Sequence, residues 1–90
     1  MSIPELSVIV PVFNERDNVT PLVDEIVAAL RDRIAFEIVY VDDHSRDDSL
    51  AVLKSLQARV AELRVLQHVT QSGQSTAVRS GVKAARGNWI

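Results

Sequence analysis

The sequence has no cysteine, no cluster of basic residues and no long apolar run. Without cysteine, disulfides and thiolate metal sites are excluded. A formal net charge of −2, with lysine and arginine scattered along the chain, argues against a nucleic-acid-binding surface. No apolar segment approaches the ~20 residues of a membrane-spanning helix. Residues 1–5 also lack the basic and apolar regions of a signal peptide, so we expect a cytoplasmic chain.

Three common ligand-binding motifs are missing too. There is no Gly-x-Gly-x-x-Gly after the first predicted strand, no Gly-x-x-x-x-Gly-Lys-Ser/Thr and no Gly-x-Ser-x-Gly. A classical dinucleotide fingerprint, a P-loop and a hydrolase nucleophile elbow are therefore excluded. A phosphate-bearing ligand would need another source of positive charge, and a divalent cation is the natural candidate.

Short apolar runs alternate with amphipathic stretches along the chain. Strands are predicted over residues 6–12, 36–41 and 63–69, the third being the least apolar and therefore expected near a sheet edge. Helices are predicted from Asn18 or Thr20, after a cap at Ser45 or Asp47, and after the turn at residues 70–75. This βαβαβα order predicts one α/β domain over residues 1–90, in which helices cover both faces of a parallel sheet (three layers, αβα).

Local signals refine the helix boundaries. Thr20 followed by Pro21 fits a cap and a first helical position. Gly87 is expected to end the third helix in a left-handed conformation. Residues 88–90 are expected to begin a fourth strand, with Trp89 in the core. One face of the third helix is predicted to pack on the sheet through four small or apolar residues: Val78, Gly81, Val82 and Ala85.

Two adjacent carboxylates, Asp42 and Asp43, end the second strand. Parallel α/β folds bind ligands beyond the carboxyl ends of their strands. The first strand ends in residues 11–15, and the two loops converge if these strands are neighbours. They would then offer an aromatic face, an amide and three carboxylates, which suits a nucleoside. Alternatively, Asn14 and the two acids are only turn formers, and the residues alone leave both interpretations open.

The two histidines do not form a metal site by themselves, and we interpret His44 as a loop residue and His68 as a strand-edge residue. Paired acids at a strand end also occur in receiver-like signalling modules. Such a module would have a further aspartate after the third strand, where residues 68–70 read His-Val-Thr. A non-catalytic interaction fragment, whose acids only cap helices, is the other alternative.

Four segments resemble the start of the family 2 glycosyltransferases: residues 8–15, residues 37–47, residues 73–77 with Gly81, and residues 85–90. Within that family the chain looks most like the enzymes that transfer a sugar from a nucleotide sugar to a polyprenyl phosphate. Two positions depart from the family pattern. Phe13 stands where the family often has tyrosine, and Gln71 stands where it usually has asparagine.

The resemblance implies that residues 1–90 are the N-terminal, nucleotide-binding half of a GT-A (Rossmann-like) domain. It implies a UDP- or GDP-sugar donor, Mg²⁺ or Mn²⁺, a lipid-phosphate acceptor and a place at the cytoplasmic face of a membrane. No catalytic residue or metal ligand is implied within residues 1–90, because the family's Asp-x-Asp motif and catalytic carboxylate lie further along. The matched positions assign nucleotide binding to Pro11, Phe13, Glu15, Val41 and Asp43.

Two expectations follow if the chain is a fragment of a longer domain. The 90 residues alone should transfer no sugar, because the metal ligands and the catalytic carboxylate that acts as the base would be missing. The first strand should be left as an apolar edge, which favours self-association with a second copy.

Overall fold

Three strands alternate with three helices in residues 3–90, the part of the chain that the computed structural model describes. The strands are β1 (Leu6–Val12), β2 (Phe36–Asp42) and β3 (Leu63–Gln67). The helices are α1 (Arg16–Leu30), α2 (Ser49–Gln57) and α3 (Gln74–Ala84). The predicted element order is confirmed, although β3 ends two residues before the predicted boundary at Val69.

The strands form one parallel sheet in the order β1-β2-β3. Every residue of β2 is buried, which explains why both of its faces are mainly apolar. β3 lies at an edge, as its weaker apolar character predicts. Because all three strands run in the same direction, the loops after β1 and β2 leave the sheet at the same end.

The helices cover both faces of the sheet. Val19 and Val23 of α1 and Leu53 of α2 join Ile38 and Tyr40 in the larger core cluster. On the other face, a smaller cluster joins Ala77 of α3 to residues 39 and 41 of the central strand. The successive residues of β2 thus divide between the two faces, and the predicted αβα layering is confirmed.

The predicted start of α1 is wrong. The helix begins at Arg16, so Thr20 does not cap it and Pro21 lies in its interior. A proline in a helix interior removes one backbone hydrogen bond and crowds the carbonyl four residues before it, which together cost about 3 kcal/mol or more. The helix starts early because the loop residues before it are already held by hydrogen bonds to the next loop, as described below.

The face of α3 that contacts the sheet is narrower than predicted. A Cβ added at Gly81 would collide with Ile9 Cγ2 and lie 3.2 Å from Val41 Cγ2. Because α3 lies so close to the sheet, its contact with the sheet is made by Ala77 and Gly81, which are buried. Val78 and Val82 lie beside this contact and are 38% and 42% exposed. Ala85 does not belong to the helix, which ends at Ala84.

Gly87 does not adopt the predicted left-handed conformation. It serves close packing instead, because an added Cβ would lie 2.7 Å from Ser7 Oγ and 2.8 Å from Ser7 N. Its N–H donates a 2.8 Å hydrogen bond to Ser7 Oγ. Two residues later, Trp89 forms a parallel bridge with Leu6, which places the predicted fourth strand beside β1.

The side chain of Trp89 is not in the core, contrary to prediction. Its residue surface is 71% exposed, although its N–H donates to Glu5 O and its C=O accepts from Ser7 N, each at 2.8 Å. The backbone is therefore held by β1 while none of the described elements covers the indole ring.

A buried carboxylate, Glu37, fastens this terminal segment to the sheet. Its Oε2 accepts from Ser7 Oγ and from the Arg86 N–H, each at 2.6 Å. Its Oε1 accepts from Arg64 Nη1 at 2.8 Å, and the same nitrogen donates to Ala84 O at the end of α3. Burial alone would raise the pKa of Glu37, but these hydrogen bonds and the Arg64 charge lower the pKa to about 2.

Candidate functional site

A cavity of about 330 Å³ opens at the carboxyl end of the sheet. The loops after β1 and β2 meet there, as predicted for neighbouring strands. The turn before α3 closes a third side. The walls come from residues 11–13 and Glu15, from Asp43, from Gln71, Gly73 and Gln74, and from Ala77. The volume lies at the lower end of the range for small-molecule sites.

Asn14 joins the first two loops. Its Oδ1 accepts from the N–H groups of Arg46 and Asp47, at 2.7 and 3.3 Å, and its own N–H donates to Ser45 Oγ at 3.0 Å. Asn14 has a φ of 52°, a left-handed conformation that asparagine tolerates better than most residues. The predicted helix cap at Ser45 is therefore wrong, because this hydroxyl serves the loop contact.

Asp47 is not the N-cap of α2, which is Asp48, so the alternative capping prediction is also wrong by one residue, but the Asp47 carboxylate does hold the start of the helix. Its Oδ1 accepts from the Ser49 N–H at 2.9 Å, and its Oδ2 accepts from the Arg16 N–H at 3.4 Å. Ser49 Oγ accepts in turn from the Glu15 N–H at 3.1 Å. The hydrogen bonds from Ser49 hold the pKa of Asp47 below its usual value. The hydrogen bond to Ser49, the first residue of α2, therefore fixes the backbone of Glu15 at the cavity.

Asp43 stands in the cavity wall with three hydrogen-bond donors around its carboxylate. His68 Nδ1 and the Ser72 N–H both lie 2.8 Å from Oδ1, and the Gly73 N–H lies 2.8 Å from Oδ2. Burial opposes ionisation, but the hydrogen bonds from His68, Ser72 and Gly73 lower the pKa of Asp43. Gly73 has a φ of 94°, so a side chain there would strain the turn that carries these donors.

The partner of Asp43 on the third strand was not predicted as part of the site. His68 follows β3, bridges Asp43 and Ser80 of α3, and its side chain is 16% exposed. The interpretation of His68 as a strand-edge residue put it one position too far inside β3, which ends at Gln67, and missed this contact. Strand order could have found it, because the end of β3 lies next to the end of β2 in a parallel sheet. His44, as predicted, is an exposed loop residue.

The two adjacent acids do not form a carboxylate pair. Side chains alternate along a strand, so Asp42 turns away from Asp43. Asp42 is fully buried, its Oδ2 accepts from the Ser45 N–H at 3.1 Å, and its Oδ1 has no hydrogen-bond partner in the described part of the protein. Within residues 3–90 no three His, Asp, Glu or Cys side chains are grouped to hold a metal ion. The receiver-like alternative, which depends on clustered acids, gains no support.

Four of the five predicted nucleotide-binding residues line this one cavity: Pro11, Phe13, Glu15 and Asp43. Val41 does not line it. Its side chain is fully buried against α3, so a contact with a ligand through that side chain would need the helix to move. Gln71, one of the two departures from the family pattern, lies in the cavity wall. Ligand binding by these residues stays a prediction.

The parallel sheet, its helical layers and the cavity at the carboxyl ends of the strands define a Rossmann-like α/β domain. Residues 7–90 match the family described as Glycosyl transferase family 2, and the chain belongs to this family. The family resemblance of the four sequence segments is thereby confirmed.

Two curated relatives bear names that specify a polyprenyl acceptor. Dolichol-phosphate mannosyltransferase of Mycosarcoma maydis is 37% identical over 91 residues, covering 96% of this chain and 31% of the relative. Dodecaprenyl-phosphate galacturonate synthase of Rhizobium johnstonii is 36% identical over 88 residues, covering 96% of this chain and 26% of the relative. The chain thus spans about a third or less of the length of these proteins.

Solved structures confirm the GT-A fold. Staphylococcus aureus TarS (residues 1–349), in complex with UDP-GlcNAc, has a TM-score of 0.82 at 28% identity, over 96% of this chain and 26% of that one. A Pyrobaculum calidifontis mannosyltransferase, in complex with GDP-Man and Mn²⁺, has a TM-score of 0.79 at 24% identity, over 94% of this chain and 25% of that one. No helix within residues 3–90 has the length and apolar character needed to cross a membrane.

Proposed function

We propose that this chain supplies the donor-nucleotide pocket of a glycosyltransferase that moves a sugar from UDP or GDP to a polyprenyl phosphate. The observation that carries the proposal is the cavity at the carboxyl end of the sheet, with Asp43 held in its wall. The residues matched to the family's nucleotide-binding positions supply four parts of that wall.

The chemistry of the cavity suits a nucleoside. Pro11 and Phe13 offer an apolar surface on which a base or ribose packs. A carboxylate has about four acceptor positions, of which the three donors around Asp43 fill three. The remaining position accepts a base N–H or a ribose hydroxyl. Glu15, an exposed acid on the same cavity, adds an acceptor near its entrance.

The names of the relatives support one class of substrates, but they do not distinguish a UDP-sugar from a GDP-sugar as donor. The two curated relatives described above are named for dolichol phosphate and dodecaprenyl phosphate, which are both polyprenyl phosphates. The two solved neighbours carry UDP-GlcNAc and GDP-Man. We therefore propose a nucleoside-diphosphate sugar as donor and a lipid phosphate at a membrane surface as acceptor.

We propose that Mg²⁺ or Mn²⁺ takes its ligands from residues outside this chain. The described residues do not fit such an ion by themselves. The Asp43 carboxylate is engaged by three donors, and Glu15 is the other acid on the cavity. Residues 3–90 therefore hold the nucleoside but contain no cluster of metal ligands and no assigned general base. We expect the 90-residue protein to transfer no sugar when it is given donor and polyprenyl phosphate. Detectable transfer would contradict the proposal that the metal ligands lie outside this chain.

Calorimetry tests nucleotide binding. UDP and GDP are titrated into the protein, into Asp43→Asn and into Asp32→Asn, which changes an exposed acid outside the cavity. Asp43→Asn places an amide N–H opposite backbone donors, so we expect at least a tenfold loss of affinity, on the order of one charged hydrogen bond. Asp32→Asn should bind as the wild type does. Equal affinity in all three proteins, or no binding by the wild type, would contradict the proposal.

We also propose that the free edge of β1 pairs with a second copy of the chain. β1 is an edge strand, and within residues 3–90 the single bridge to Trp89 covers only its start. An edge with unpaired N–H and C=O groups favours strand addition. Sedimentation velocity over a range of concentrations should show dimers, and a monomer at every concentration would contradict the pairing.

A further inference from the structure

The histidine after β3 connects the cavity wall to the helix that packs beneath it. His68 Nδ1 lies 2.8 Å from Asp43 Oδ1, and His68 Nε2 lies 2.8 Å from Ser80 Oγ. The His68 side chain is 16% exposed and the Asp43 side chain is 5% exposed. His68 does not line the cavity, so it would act on a ligand only through Asp43.

We infer that His68 is a positioning residue, which fixes the Asp43 carboxylate so that one defined oxygen faces the nucleotide. This inference rests on the proposed function of the cavity. It concerns the orientation of the acceptor and leaves open which base is bound.

The hydrogen bonds of Asp43 identify that oxygen. Oδ1 receives two donors, His68 Nδ1 and the Ser72 N–H, whereas Oδ2 receives only the Gly73 N–H. Each carboxylate oxygen has two acceptor positions. The position that remains is therefore on Oδ2. If the His68 donor is removed, each oxygen has one donor and one vacant position, so the two orientations of the carboxylate become equivalent in their hydrogen bonds.

The ring of His68 is itself held in one orientation. An ionised carboxylate only accepts hydrogen bonds, so Nδ1 must carry the proton that lies between His68 and Asp43. In the neutral ring Nε2 is then an acceptor, and it receives the Ser80 hydroxyl proton. Ser80 belongs to α3, whose Gly81 contacts the sheet, so the ring is anchored to a packed helix and not to a loop.

Two substitutions of His68 separate its two hydrogen bonds. His68→Asn places an amide nitrogen near the position of Nδ1 and can still donate to Asp43. His68→Gln places its amide near the position of Nε2, so it keeps the Ser80 contact and loses the Asp43 contact. Both variants lose one of the two hydrogen bonds of the His68 ring, so a purely structural role would affect them alike.

Calorimetric titration with UDP and GDP gives the decisive comparison. We expect His68→Gln to bind the better nucleotide about tenfold more weakly than the wild type, since it loses a hydrogen bond to a charged acceptor. His68→Asn should stay within about threefold of the wild type, as should Ser80→Ala, which leaves the Asp43 contact in place. Thermal midpoints of the variants confirm that each is folded at the titration temperature.

The ring tautomer is measured independently by nitrogen-15 NMR. We expect His68 in the ligand-free wild type to carry its proton on Nδ1, and a proton on Nε2 alone would overturn the inference. Equal nucleotide affinities of His68→Gln and His68→Asn would also overturn it, while binding by the wild type and its loss in Asp43→Asn would leave the proposed function intact. No binding by the wild type would instead overturn the proposed function together with this role of His68.

Discussion

Ser7 Oγ donates a 2.6 Å hydrogen bond to Glu37 Oε2 between two adjacent strands, and both residues are buried. The two residues are paired in register at the amino end of the sheet, opposite to the cavity. The same oxygen also accepts from the Arg86 N–H. A charge at this end therefore holds together β1, β2 and the segment that follows α3.

This carboxylate should make the protein sensitive to acid. The pKa of Glu37 is about 2 in the folded protein, against 4.5 for the free group, so its stabilisation is complete above pH 4.5. It is lost as the pH falls from 4.5 towards 2, and it contributes up to about 3 kcal/mol at neutral pH. We expect Glu37→Gln to lower the free energy of unfolding by about this amount at pH 7 and by much less near pH 3.

Urea unfolding of both proteins at a series of pH values measures this difference. Glu25→Gln, a change at an exposed acid of α1, is the matched control and should leave the curve close to that of the wild type. A Glu37→Gln deficit that stays constant from pH 7 to pH 3 would contradict the ionisation argument and indicate a loss of packing alone.

Tyr40 is the single tyrosine of the chain, so its ionisation can be followed by absorbance without interference. Burial, followed by the nearby negative charge of Glu15, raises the pKa of Tyr40 to about 12 from 10.0. Because the folded-state pKa is raised, stability is intact below pH 10 and falls as the pH rises from 10 towards 12. The absorbance of Tyr40 is recorded immediately after a jump to high pH, before the protein unfolds. The ionisation should have a midpoint near pH 12, and a midpoint near 10 would contradict the burial of the hydroxyl.

Gly81 sets the distance between α3 and the sheet. A methyl group there would meet Ile9 and Val41, so we expect Gly81→Ala to lower the free energy of unfolding by about 1–3 kcal/mol despite the better helix propensity of alanine. Ser75→Ala, an exposed substitution in the same helix, should be neutral or slightly stabilising. Chemical denaturation of the two variants gives the comparison, and equal stability would show that α3 can shift without cost.

Asn14 stabilises the cavity through both its side chain and its backbone conformation. Asn14→Gly keeps the left-handed backbone but loses the two N–H groups bound by Oδ1, so we expect a loss of about 1–2 kcal/mol. Asn14→Ala adds the strain of a positive φ and should lose about 1 kcal/mol more. His44→Gly, at the other exposed left-handed position near the site, should not destabilise the protein. Equal unfolding free energies for the two Asn14 variants would argue against backbone strain.

Apolar patterning was enough to predict the sheet, the layers and the place of the cavity. β2 is mainly apolar because it is buried on both faces, and this property is visible in the sequence; Glu37 and Asp42 are its two charged residues. The acids at its end were correctly expected at the carboxyl edge. Strand alternation would have separated Asp42 from Asp43, but patterning could not show which groups each carboxylate binds.

The errors share a physical cause, since each depends on contacts between distant segments. α1 starts at Arg16 because the next loop supplies hydrogen bonds, which no local capping signal reveals. Val78 and Val82 are displaced because Gly81 lets α3 approach the sheet closely. The contact of His68 with Asp43 depends on strand order, and the Glu37 network joins residues 49 positions apart.

The hydrogen bonds between Asn14 and residues 45–47 have a consequence for how such a site changes over evolutionary time. Asn14 Oδ1 binds the peptide N–H groups of Arg46 and Asp47, which any residue other than proline supplies, whereas the side chains of Ser45 and Asp47 make contacts of their own. Adding or deleting one residue in either loop would move those peptide groups out of register with the amide of Asn14. Variation in specificity should therefore arise by exchange of side chains on loops of constant length.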